Sequence, residues 1–159
     1  MLHIDLSGNT LGIQTINLVI AAVLGGLIGL ERETGHRPAG LRTNMLVAVG
    51  SALFTMLSLH AFPGIGDKGR VAAQIVSGIG FLGAGTLWRS QDEVKGLTTA
   101  AGLWTVAAIG MAVGAGLGLL ALSATIIVLV ILTLMMRFEK TFMRITTARD
   151  KSAGNESNS

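Results

Sequence analysis

LTTAAGLWTVAAIGMAVGAGLGLLALSATIIVLVILTLMM, residues Leu97 to Met136, is a tract of forty residues without a single charge. Drawn as one α-helix it would be about 60 Å long, twice the roughly 30 Å hydrocarbon thickness of a bilayer. It must therefore fold back on itself. The cluster Gly114, Gly116 and Gly118 near its middle is where the chain can turn, because glycine adopts backbone conformations that other residues resist. Two spans result, 97–115 and 118–136. Three more apolar stretches precede them, at 71–88, 44–60 and 11–30. In the first of these in chain order, Gln14 and Asn17 leave an unbroken apolar run only from Leu18 to Leu30. That run is shorter than the ~20 residues of a full crossing, so this helix leans on its neighbours. The expected fold is an all-α polytopic membrane bundle of five transmembrane helices within residues 1–136.

Composition agrees. Of 159 residues 50% are hydrophobic and 13% charged, with a mean hydropathy of +0.64, too apolar for one soluble core to hide. The net charge of +3 does not point to nucleic acid, because the basic residues sit at the ends of apolar segments. Arg32, Arg37 and Arg42 fall in the first connection, Arg89 and Lys95 in the third, and Arg137, Lys140, Arg144, Arg149 and Lys151 after the last span. Only Lys68 and Arg70 fall on the other side. The positive-inside rule then makes the first and third connections and the C-terminus cytoplasmic, with the N-terminus outside. Trp88 beside Arg89 fits an aromatic anchor at the cytoplasmic interface. Residues 1–10 carry no Lys or Arg, so a cleavable signal peptide is not expected. With no Cys, thiolate chemistry and disulfides are excluded.

In the third span Ser77, Gly78, Gly80, Gly83, Ala84 and Gly85 cover roughly 220° of the helix circumference at 100° per residue. Short side chains let helices approach closely in lipid, so this helix is expected at the bundle centre. Gly25 and Gly29, and Gly110, Gly114 and Gly118, repeat the spacing of close helix packing, which self-association of the chain could also use. After Met136, residues 137–151 place Phe138, Phe142 and Ile145 opposite Arg137, Lys140 and Arg144, a basic amphipathic segment suited to anionic headgroups or to a protein partner. Residues 152–159 read as a disordered polar tail.

Several motifs fail on context. Gly78, Gly80 and Gly83 spell G-x-G-x-x-G inside an apolar span with no preceding strand, so no dinucleotide site follows. Gly64, Gly66 and Asp67 lie in a Pro/Gly-rich connection, and no other Asp occurs in any span to complete an aspartyl dyad. His3, His36 and His60 are scattered without ligand spacing, so neither a metal site nor a nucleophile system assembles. No cofactor is implied, and the chain does not read as an enzyme.

What remains is a polar surface expected on the cytoplasmic side: Glu31, Arg32, Glu33, Arg42, Thr43, Asn44, Arg89, Asp92, Glu93, Lys95, Thr98 and Thr99. One reading is structural, with Thr98 or Thr99 capping the fourth helix and Glu31 or Glu33 pairing with Arg42 or Arg89. The other is a site between helices for a ligand, ion or partner. Gln74, in the third span one turn after Arg70, either bonds a neighbouring helix or lines a site. A divalent-cation path would want carboxylates along the pore, and the hydrophobic spans hold none.

At Gly29–Glu33 (GLERE), Arg37–Leu46 (RPAGLRTNML), Arg70–Gly85 (RVAAQIVSGIGFLGAG) and Gly96–Gly110 (GLTTAAGLWTVAAIG), the chain resembles the MgtC/SapB family of bacterial inner-membrane proteins. The resemblance runs over roughly residues 15–135 and covers a membrane domain; many members carry a soluble cytoplasmic domain after it. It implies a five-helix membrane domain tied to growth at low Mg²⁺ and, in pathogens, to survival inside phagocytes. Members were named as Mg²⁺ transporters, while the best-studied branch modulates other membrane machines, ATP synthase among them. The expected function is therefore a non-enzymatic regulator of another membrane protein, with a transporter or channel for Mg²⁺ or another small solute as the alternative.

Overall fold

The computed structural model describes residues 8–60, 67, 69–90 and 93–134. Lys68, Asp92, the basic segment 137–151 and the tail 152–159 lie outside the described residues. The elements are α1 (Gly8–Thr34), α2 (Leu41–His60), α3 (Gly69–Ala84), a hairpin of β1 (Trp88–Ser90) and β2 (Glu93–Lys95), α4 (Leu97–Gly114) and α5 (Gly118–Leu134). The fold is all-α apart from that hairpin. Among the described residues three helices are long and apolar enough to cross a membrane: α1 from Leu11 to Thr34, α2 and α4.

The forty-residue tract folds back at its glycines. Gly116 takes φ 80°, its N–H donates to Val113 O at 2.9 Å and the Leu117 N–H donates to Ala112 O at 2.8 Å, so the last carbonyls of α4 are satisfied by the turn itself. The same pattern ends α1: the His36 N–H reaches Glu33 O and the Arg37 N–H reaches Arg32 O, each at 3.0 Å, with His36 at φ 52°. α3 stops earlier than expected, at Ala84 rather than Trp88. The chain there enters the hairpin, in which Trp88 pairs with Lys95 and Arg89 with Val94. Gly96, at φ 96°, presses its α-carbon so close to the Thr86 carbonyl that a side chain would overlap it, which ties the base of the hairpin to the start of α4.

α2 is the centre of the bundle. Its Ala48, Ala52 and Met56 pack among Ala21, Leu24 and Ile28 of α1, Val106, Ile109 and Val113 of α4, and Ala121 and Leu132 of α5. Glycine makes both crossings close. A Cβ at Gly25 would stand 2.7 Å from Ala48 Cβ, and one at Gly29 2.7 Å from Leu41 Cα. On the other flank Gly110 meets the Ala48 carbonyl, and a Cβ at Gly114 would stand 2.5 Å from Ala52 O.

The expected central position of the third helix is not what the structure shows. α3 lies at the edge, attached through Ile79 to Leu103 and Ala107 of α4, and only Ile79 and Gly83 of its residues are buried. Gly83 approaches Ala100, with 3.4 Å between its Cβ position and that of Ala100, but Gly78 and Gly80 have nothing within 4 Å, and Ser77 and Gly85 are exposed. Small side chains permit close approach without supplying anything to approach. The outward faces of α1 and α5 carry large apolar side chains, among them Ile13, Ile16 and Val19 and then Leu119, Ile127 and Ile131, a surface suited to lipid.

Candidate functional site

One end of the bundle gathers the last turn of α1, the first turns of α2 and α4 and the end of α3, because α1 runs antiparallel to α2, and α3 to α4. Four of the sequence candidates meet there. Arg32, at the end of α1, is only 6% exposed, and its Nη2 donates to Thr99 Oγ1 in the first turn of α4 at 2.8 Å. This bond joins helices 67 residues apart in sequence. A buried cation is costly without a hydrogen-bond partner, so Thr99 acts as an acceptor for Arg32 and not as the cap of its own helix. The cap position belongs to Gly96, which makes no side-chain cap bond.

Asn44 shapes the connection. Buried on the first turn of α2, it donates through Nδ2 to Ala39 O at 2.5 Å and Gly40 O at 2.9 Å, holding a loop in which Ala39 takes φ 57°. Glu33 closes the same loop from the other side: its Oε2 accepts the Leu41 N–H at 2.8 Å, a capping carboxylate at the positive end of α2. Glu33 thus serves as a backbone cap of α2. Glu31 differs again, since both carboxylate oxygens are buried and neither has a hydrogen-bond partner.

The remaining candidates lie elsewhere. Arg42, Thr43 and Thr98 are exposed near the same end, on the outside of α2 and α4. Arg89 is exposed on β1. Arg70 and Gln74 belong to the opposite end of α3, where the Gln74 side chain lines a groove between α2 and α3. The candidates therefore form a buried junction (Glu31, Arg32, Asn44, Thr99) and a separate groove rather than one site. Ser51, a buried member of the groove, was missed by sequence reading, since a serine amid apolar residues carries no distinguishing pattern. Among the described residues no three of His, Asp and Glu come together as a metal set.

The sequence matches the model of the MgtC family over residues 18–141, which takes in the junction, the hairpin, most of α1 and the other four helices. The chain belongs to the MgtC family. It is 54% identical over 114 residues to Protein MgtC of Salmonella typhimurium (strain LT2), covering 72% of this chain and 48% of that protein. Against Protein MgtC of Brucella abortus (strain 2308) the identity is 54% over 111 residues, covering 70% of this chain and 46% of the relative. The chain thus spans about half the length of the MgtC proteins it matches. No solved structure matches it. Family membership and the three long apolar helices make it a membrane protein.

Proposed function

We propose that this MgtC-family chain is a non-enzymatic regulator in the bacterial inner membrane that binds another integral membrane protein through α3, and that this coupling serves adaptation to low Mg²⁺ and, in pathogens, virulence. The observation that carries the reading is the outer face of α3. Ala73, Ser77, Gly80 and Ala84 recur at helical spacing, all are exposed, and nothing lies within 4 Å of a Cβ built on Gly80. A stripe of short side chains gives a second helix close van der Waals contact that lipid tails do not match, which is how helices associate in a bilayer. The buried junction supports the same reading, because it fixes the ends of α1, α2 and α4 and leaves α3 the peripheral helix. ATP synthase is a partner of the kind the family resemblance implies.

A photoreactive amino acid at Ser77 or Gly80, activated in native membranes, is expected to capture a distinct membrane protein identifiable by mass spectrometry. Capture of lipid and self-contacts alone would refute the reading. The transporter alternative draws on Gln74, an amide at membrane depth. It requires ion flux in liposomes that Gln74→Leu impairs, whereas a regulator gives no flux with either protein.

A further inference from the structure

The close crossings of the core are built on glycine: Gly25 lets α1 onto Ala48 of α2, and Gly110 lets α4 onto the same residue from the other flank. One further pair of glycines is placed for such a crossing and does not make it. Gly50 on α2 and Gly78 on α3 both line the groove between these helices, and nothing lies within 4 Å of a Cβ built on either. The walls around them are apolar on both sides, with Leu46, Val47 and Phe54 across from Val71, Ile75 and Leu82. Two helices lined in this way gain van der Waals contact by closing on each other, which is the driving force available in lipid.

α3 is held unevenly along its length. Its hairpin end is anchored: the Thr86 N–H and Oγ1 both donate to Gly83 O, and Gly96 presses against the Thr86 carbonyl at the base of the hairpin. Nearby, Gly83 meets Ala100 and Ile79 rests on Leu103 and Ala107, with Val47 of α2 packed against the same cluster. Before Ile79 no residue of the helix is buried. The hydrogen bonds described at its start, from the Gly69 N–H to Asp67 Oδ1 and from the Arg70 N–H to Asp67 O, stay within its own segment. We propose that α3 has a second position, reached by tilting about its hairpin end, in which Gly50 and Gly78 form the α2–α3 crossing and the groove is closed. The structure holds the open position. The contacts of Gly83 with Ala100 lie next to the pivot and persist in both. At 100° per residue the stripe Ala73, Ser77, Gly80 and Ala84 lies on the opposite side of α3 from the groove and stays outward, so closure does not depend on what binds there.

The sequence has no Cys, so introduced pairs report without background. Gly50→Cys/Gly78→Cys, in the full chain reconstituted in phosphatidylcholine vesicles, is treated with a mild oxidant and read for the intramolecular disulfide by mass spectrometry. A disulfide places its β-carbons about 3.8 Å apart, closer than the Cβ position of either open glycine comes to the facing helix. Gly83→Cys/Ala100→Cys, whose Cβ positions are already 3.4 Å apart, sets the rate for a standing contact. The groove pair should oxidise at more than about a hundredth of that rate, a closed population within the ordinary range for a minor state. Phe54→Cys/Gln74→Cys leaves both glycines in place and should cross-link as well. Adding Gly78→Leu to that pair should slow it at least about tenfold, because the wedge overpacks the closed crossing while the open groove has room for it. Slower oxidation of the groove pair, as when lipid or another protein keeps the groove filled, or no effect of Gly78→Leu, would overturn the proposal. So would disulfides that form between chains, which assign the groove to a second copy.

Discussion

The glycines of the α1–α2–α4 core and those of α3 have similar spacing and opposite surroundings. Around Ala48 the backbones close from both sides, with Gly25 on one flank and Gly110 on the other, and any side chain at either position would collide. On α3, Gly78 and Gly80 look onto open space. A glycine pattern in a membrane helix therefore reports a capacity for close contact, and whether the contact is internal depends on what the rest of the chain brings against it. In the core the capacity is used up in folding. On α3 no described residue uses it at Gly78 or Gly80.

The strongest way to break this comparison is to enlarge a glycine in each region. Gly110→Leu forces α4 away from the Ala48 backbone and is expected to cost about 3 kcal/mol or more, the upper end for overpacking, with most of the protein lost from the membrane fraction. Gly80→Leu should leave the amount and melting temperature near those of the parent, and instead weaken capture of the partner at Ser77. Equal losses in the two variants would mean that α3 is packed as tightly as the core.

A smaller effect separates the buried junction from its exposed neighbours. Arg32→Met removes the donor to Thr99 and strands a buried hydroxyl, which is expected to cost about 1–3 kcal/mol in an unfolding titration in mild detergent. Arg42→Met, on an exposed side chain, should stay within about 0.5 kcal/mol.

The positive-φ turns give the finest distinction. Gly116→Ala places a Cβ in the left-handed region between α4 and α5 and is expected to cost about 1 kcal/mol. Ala39→Gly relieves the same strain where the chain already tolerates it, and it should be neutral or stabilise by a few tenths of a kcal/mol once the added freedom of the unfolded chain is subtracted. Thermal unfolding of the pair in one lipid composition checks both.

These differences also mark how far the sequence could be read. The helices, and the turn at Gly116, were legible because an uncharged forty-residue run exceeds any bilayer and only its glycines can reverse it. Arg32, Asn44 and Thr99 were legible as candidates because polar groups at the ends of apolar spans are few. Their partners were not, since Arg32 meets Thr99 only after α1 and α4 are brought together through α2. The hairpin was hidden by its brevity: three residues per strand between two helices leave too little alternation to register. The place of α3 could not be read either, because small residues look alike whether they face a neighbour or an absence.

The account rests on α2 being clasped between α1 and α4 while α3 keeps an uncovered face. Thermal unfolding of Gly110→Ala and Gly80→Ala, reconstituted side by side in the same lipid, tests it most directly. The single methyl should lower the melting temperature at Gly110, where it meets the Ala48 backbone, and hold or raise it at Gly80, where replacing a helical glycine gains about 1 kcal/mol. A loss of similar size at both positions would contradict the arrangement.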